Sequence, residues 1–269
     1  MKAYIFDVEF TWGFQARIAG LSKSPPSYLF PPPTTVIGAI AERVARRLGR
    51  GEASAVETMS TISSSLLALT FKPLNVFPSH YMTLSRVYAI GNRGGVNYPT
   101  ARDVYLYKSF DAPARGSTFY GTVDGEPPRI RYFVVARDDT VVTLGDLWGV
   151  KRLGSRESLV SVVMAAEARV EQKMSEGRVF TAVPLAQGVE VLEGEESCLR
   201  EYYVYPYNLS DAPVRIYHLN PSLVIQYLIP IPYFETSKQG LKVRVDGEKF
   251  VIYQVRSEEG VEGVVGLAS

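Results

Sequence analysis

Strand and helix periodicities follow one another along the first 172 residues in the order β-α-β-β-α-β, and short strand-like runs fill the remainder. That order predicts an α+β chain, with a ferredoxin-like N-terminal domain over 1–172 and a smaller β-rich C-terminal domain over 173–269. Three observations carry the prediction. The N-terminus alternates with a period of two, a strongly two-sided helix follows a proline run, and an aromatic, basic stretch at about 78–128 keeps neither period for long.

Tyr4, Phe6, Val8, Phe10 and Trp12 alternate with Ala3, Ile5, Asp7, Glu9 and Thr11, the pattern of a half-buried strand over 3–12. In "SYLFPPPTTVIGAIAERVARRLGRG" the prolines fix an extended approach and a threonine is the expected N-cap. Ile37, Ile40, Ala41, Val44 and Leu48 then form an apolar stripe over 35–48, which Gly49 and Gly51 end. A weaker segment, 55–67, reads as helical before turning extended near "LLALTF". Residues 78–128 read as a long, partly β insertion. "RIRYFVVA" (129–136) reads as a strand and "TLGDLWGVKRLG" (143–154) as a short helix opened by a Thr143–Asp146 capping box. "SLVSVVMAAEARVE" (158–171) reads as a buried strand, and the polar "EQKMSEGR" (171–178) as the domain boundary. Beyond it "VFTAVPL", "REYYVYPY", "VRIYHL", "LVIQYLIPIPYF", "LKVRV" and "KFVIYQV" read as strands. Asp246-Gly247 is a hairpin signal and "SEEGVEGVVGLAS" a frayed tail.

The composition, 46% hydrophobic and 21% charged, is that of a folded, soluble chain. Residues 1–157 hold 19 basic and 13 acidic residues, a net of +6; residues 158–269 hold 10 and 15, a net of −5. An anion-binding face is therefore expected on the first half. The single cysteine, Cys198, precludes an internal disulfide and a thiolate zinc cluster, and no metal or cofactor is expected. No apolar run is long enough to span a membrane, and Asp7 and Glu9 do not fit a signal peptide; a cytoplasmic location is expected. Phosphate-loop, zinc-protease, nucleophile-elbow and dinucleotide motifs are absent, so nothing points to an NTPase, metalloprotease, serine hydrolase or dinucleotide enzyme.

Arg43, Arg46, Arg47 and Arg50 make a second stripe on the first helix, either a solvated face or a phosphate clamp. The insertion interleaves Arg86, Tyr88, Arg93, Arg102, Tyr105 and Lys108; guanidinium groups pair phosphates and tyrosine faces stack on bases, although tyrosines also pack ordinary strands. "VKRLGSRES" offers Lys151, Arg152 and Arg156 around a Gly154 turn whose N–H groups could hold a phosphate, or a plain loop. His80, with Tyr81 beside it, is the nearest approach to a ribonuclease acid–base pair; His218 is a lone histidine. The acidic outer face of the first strand directs any RNA to loops, insertion and helix rather than to the sheet.

"SYLFPPPTTVIGAIAE" (27–42) and "RLGSRESLVSV" (152–162) together resemble the proline-threonine helix approach and the Gly-Ser-Arg/Lys-Glu-Ser turn and following strand of the Cas-five family. These are CRISPR-associated proteins of the RAMP superfamily, and the second motif resembles their archaeal type I-A form; low asparagine content also hints at a thermophile. The likeness covers about 1–172 in order, the insertion matching the family's β-hairpin thumb. It implies a non-catalytic subunit of the Cascade surveillance complex in antiviral defence. Such a subunit holds the 5′ handle of the CRISPR RNA, touches a Cas-seven-type backbone subunit and docks a Cas-eight-type large subunit. The residues expected on RNA are Arg17, Lys23, Thr34, Thr35, Arg43, Arg46, Arg47, Lys151, Arg152, Ser155 and Arg156, with Arg86, Tyr88, Arg93, Arg102, Tyr105 and Lys108 of the thumb. Thr34 and Thr35, at a helix start that favours phosphate, stand ahead of the arginine stripe. Two rival readings stand beside this one. One is a metal-independent endoribonuclease using His80 and Tyr81, although the Tyr, Lys and His set of the cleaving type I-C subtype has no match here. The other is a protein-docking scaffold without RNA contact.

Overall fold

Alternating apolar residues build β1 (Lys2–Phe10), and the chain turns through β2 (Gly13–Phe14) toward the prolines. The computed structural model describes residues 1–18, 25–90, 107–231 and 239–269. α1 (Pro33–Arg47) buries Val36, Ile37, Ile40, Ala41 and Val44, so the apolar stripe is as expected except at Leu48, which caps the helix and is exposed. The helix starts earlier than expected. Its N-cap is Pro32, not a threonine, because Pro33 is preset for the first helical position, and Thr34 and Thr35 lie in the first turn. α2 (Ala55–Ser65) leads directly into β3 (Leu66–Pro73).

The insertion is a long antiparallel ladder of β4 (Val76–Ile90) and β5 (Tyr107–Thr122), with Phe77 opposite Gly121 and Ile90 opposite Tyr107. β6 (Arg129–Ala136) follows, then α3 (Leu144–Trp148), much shorter than the 143–154 helix expected because it ends at Gly149. β7 (Val160–Met174) is not fully buried: Glu167, Arg169, Glu171 and Lys173 hold one face in water.

The central sheet has the order β7-β1-β6-β3 for the strands so far, every neighbour antiparallel. Counted along the βαββαβ unit, that is fourth, first, third, second. β14 (Phe250–Ser257) and β15 (Gly260–Leu267) extend it beyond β7 to six strands. The "frayed" tail is thus a paired strand; its glycines disguise a Val264–Val265 core segment. The sheet curls until β15 lies against β3. A Cβ on Gly266 would sit 2.4 Å from the Leu67 carbonyl oxygen, so only glycine permits that approach. The curl encloses Ala3, Ile5, Phe133, Val135, Val251, Tyr253 and Val255, while α1 and its neighbours cover Tyr4, Phe6, Val8 and Phe10 on the other face. β1 is therefore buried on both faces rather than one. Asp7 is not an open acidic surface: Arg131 donates to both its oxygens at 2.7 Å, and Glu9 pairs with Arg129 at 3.3 Å.

The rest of the C-terminal portion forms two three-stranded sheets. One has the order β10 (Val189–Glu193), β13 (Leu241–Val245), β8 (Glu176–Val179); the other is β11 (Cys198–Val204), β12 (Val224–Pro230), β9 (Val183–Pro184). "VRIYHL" is not a strand but part of α4 (Pro213–Leu219), with proline at its first position. Asp246-Gly247 does not close a hairpin. β13 and β14 belong to different sheets, and Asp246 Oδ1 instead accepts the N–H groups of Lys249 and Phe250 at 2.9 and 3.0 Å. The division expected near 172 falls inside β7, and one apolar cluster takes residues from both sides of it.

Candidate nucleic-acid interface

The segment before α1 is gripped by side chains from remote elements. Glu201, on β11, accepts the N–H groups of Leu29 (2.6 Å) and Phe30 (3.0 Å). Tyr120 of β5 donates to the Leu29 carbonyl at 3.0 Å, Thr118 of β5 donates to the Tyr28 carbonyl, and Tyr203 donates to Glu201. The polar backbone groups of this run through the core are thereby satisfied. Burial raises the Glu201 carboxyl to about 7, against the opposing hydrogen bonds from Tyr203, Leu29 and Phe30. Burial likewise raises the Tyr28 hydroxyl, with Tyr217 and Glu201 adding to it.

A cavity of about 440 Å³ opens where this segment becomes α1. Its polar side comprises Gln15, Arg17, Thr34, Thr35 and Ser155; its apolar side comprises Tyr28, Val204, Pro213, Val214 and Tyr217. Thr35 and Val36 return their N–H groups to the Pro32 carbonyl (2.8 and 3.2 Å), whereas the Thr34 N–H has no intrahelical acceptor by position. Thr34 is only 6% exposed, yet its hydroxyl has no hydrogen-bond partner among the described residues. The cavity therefore combines a helix start, a threonine hydroxyl without an internal partner among the described residues, a cation and an aromatic wall.

The 152–158 turn forms the near rim. Gly154 has φ of +111°, and a Cβ there would lie 2.5 Å from the Gln15 carbonyl oxygen. Ser155 N–H donates to Gln15 O (2.8 Å), Gln15 N–H donates to Ser158 Oγ (2.9 Å), and the two serine hydroxyls are 3.2 Å apart. The turn is thus tied to the residue that follows β2, and the N–H groups of Leu153, Ser155 and Ser158 are spent on backbone oxygens rather than on a phosphate nest. What it offers outward is the Ser155 hydroxyl and its cations.

The structure brings together Arg17, Thr34, Thr35 and Ser155 in this cavity, and Lys151 and Arg152 with Thr35 in an adjoining depression of about 170 Å³. Arg17, Lys151, Arg152 and Arg156 are exposed, with no acidic partner among the described residues. The arginine stripe is committed elsewhere. Arg46 pairs with Glu42, Arg50 with Glu57 at 3.7 Å, and Arg47 donates twice to Asp146 at 2.9 Å. Burial would raise the Asp146 carboxyl, but hydrogen bonds from Arg47 and Thr143 outweigh it and hold the group below its usual range. Arg43 lies over Gly149 with its Nε enclosed and unbonded among the described residues. The stripe mainly docks α1 on α3 and α2.

On the β4–β5 ladder, Arg86 stands opposite Asp111, Tyr88 opposite Ser109 and Lys108 opposite Ala89 by backbone register. Lys23, Arg93, Arg102 and Tyr105 lie outside the described residues. His80 and Tyr81 are exposed on β4, opposite Thr118 and Ser117, and neither lines the cavity. Sequence reasoning missed Gln15, Tyr28, Tyr217 and Glu201. Tyr28 lies beside the conspicuous prolines, but the others carry no local pattern and join the site only through tertiary contact.

No protein-family model matches the sequence, and no curated protein does. Among solved structures, the chain is similar to a CRISPR protein from Archaeoglobus fulgidus, with 35% identity, 100% of both chains covered and a TM-score of 0.71. A chain of a type III-B Cmr-beta complex bound to cognate target RNA and AMPPnP aligns at 8% identity over 90% of this chain and 86% of its own, with a TM-score of 0.39. A chain of a CRISPR RNA-guided surveillance complex aligns at 12% identity over 97% and 91%, with a TM-score of 0.35. Alignments as loose as these last two fix neither fold nor role.

Proposed function

Since the chain belongs to the same CRISPR-protein family as the Archaeoglobus fulgidus protein, we propose that it is a non-catalytic, Cas-five-type RNA-binding subunit of a type I-A surveillance complex. The sheet order fourth-first-third-second supports the ferredoxin-like RAMP reading, and the β4–β5 ladder supports the thumb. The observation that carries the proposal is the cavity at the start of α1. It gathers four of the residues expected on RNA around the unpartnered Thr34 hydroxyl. A phosphate of the CRISPR RNA 5′ handle would meet Thr34, Thr35, Ser155 and Arg17, and its sugar and base would meet Tyr28, Val214 and Tyr217. With the curl filling one face of the central sheet and helices the other, RNA is left the loops and ladder. Cas-seven-type and Cas-eight-type subunits are the proposed protein partners.

The test is titration of the full chain with repeat-derived RNA at rising salt. Log affinity is expected to fall linearly with log salt, as phosphate contacts require. Thr34→Val, which replaces the hydroxyl with a methyl, should weaken binding about five- to ten-fold while leaving thermal stability near the parent's, since no internal bond is lost. Salt-independent binding would count against the reading. Clean RNA cleavage in EDTA that disappears in His80→Ala would replace it with the nuclease reading.

A further inference from the structure

The sheet ordered β2-β5-β4 turns Phe14 and Tyr120 into the core. Its outward face would ordinarily be polar. Beside Ser79 and Ser117 it carries large aromatics instead. Phe77 and Tyr81 are four residues apart on β4, and Phe119 on β5 stands opposite Ser79 between them, so all three share that face. They are 51%, 53% and 44% exposed. The Tyr81 and Phe119 rings meet edge to face at 5.5 Å, and Trp12, just before β2, joins Phe119 at 5.3 Å. Trp12 Nε1 donates to the Glu157 carbonyl at 2.9 Å, which sets this row of rings against the turn that carries Arg156. Gln15, three residues further along and about 10 Å away in an extended chain, holds Ser155 at the cavity rim.

We propose that Trp12, Phe119, Tyr81 and Phe77 form a base-stacking platform for single-stranded RNA, continuing the track that begins in the Thr34–Ser155 cavity. The proposal rests on the RNA-binding reading above. Charge decides between RNA and an apolar protein surface as the occupant. The turn that holds Trp12 carries Arg156, exposed and without an acidic partner among the described residues, and the same turn supplies Ser155 to the cavity, so the row of rings continues from a cationic rim; aromatic faces next to cations are what single strands select.

The chain has two tryptophans, so Trp148→Phe leaves Trp12 as the sole indole reporter. A short oligouridylate and an abasic backbone of equal length are titrated into this protein. The uridylate should quench Trp12 emission and the abasic strand should not. Adding Phe119→Ala and Tyr81→Ala should weaken uridylate binding at least about five-fold, leave abasic binding unchanged and keep the same salt slope. Phe119→Leu, which keeps apolar bulk but lacks the π-face, should reproduce part of the loss and guards against a folding artefact. Salt-dependent uridylate binding that ignores Phe119 and Tyr81 overturns the platform alone. Failure of both probes to bind overturns the platform and the RNA-binding reading together. If the alanine pair leaves RNA binding intact but abolishes co-purification of a protein subunit, the face is a protein dock and the platform is wrong.

Discussion

Glu201 is the residue on which the site's geometry turns, and it gives the molecule a pH signature. Its carboxyl is raised from the ordinary 4.5 to about 7 by burial. Between those values the unfolded chain has released a proton that the folded chain keeps, so this group lowers stability as pH rises through the window and costs nothing below it. The ceiling is about 3 kcal/mol. Glu201→Gln retains one acceptor for Leu29 or Phe30 and cannot ionise. It is expected to be destabilised at about pH 5, with the gap from the parent closing toward about pH 8, as read by chemical denaturation. A gap constant across that range would show that Glu201 does not titrate there. Nothing around Glu201 in "LREYYVYPY" announced this role, because its partners lie at Leu29 and Phe30, on an element the sequence cannot place beside it. Thr34 was legible for the opposite reason: prolines and helix periodicity fix where the first turn begins, within one or two residues.

Among the elements, α1 shows how a correct periodicity can suggest the wrong partner. The arginines do recur on one face, but Glu42, Glu57 and Asp146 neutralise three of them. Two of those acids are near in sequence; Asp146 is not. Arg47→Ala should cost about 1–2 kcal/mol in a denaturation experiment, since it leaves the nearly enclosed Asp146 without its main donor, and should leave RNA affinity near the parent's. A large loss of RNA binding with unchanged stability would return the stripe to the interface. The capping box at Thr143 was readable from spacing alone, and Thr143 N–H and Oγ both donate to Asp146. α4 was not, because seven residues with β-branched and aromatic side chains read as a strand, and only Pro213 argues otherwise.

At the scale of the whole molecule, the βαββαβ order could be read because each element keeps its own period. The closure of the sheet could not, since β14 and β15 reach β7 and β3 from the far end of the chain. A fragment ending at residue 172 should therefore fail to unfold cooperatively and should bind an apolar dye, exposing Ile5, Phe133 and Val135; a sharp melt for that fragment would restore an independent N-terminal domain. The grip on the α1 approach has a consequence in time as well. Leu29 and Glu201 are 172 positions apart. At ordinary rates of synthesis, about 10–30 s separate the emergence of the two from the ribosome. Throughout that interval a nascent chain has its prolines and first helix but neither the carboxylate that fixes them nor the Val204 and Tyr217 wall. The cavity is completed late in translation, so a partly made subunit cannot capture RNA there before the rest of it exists.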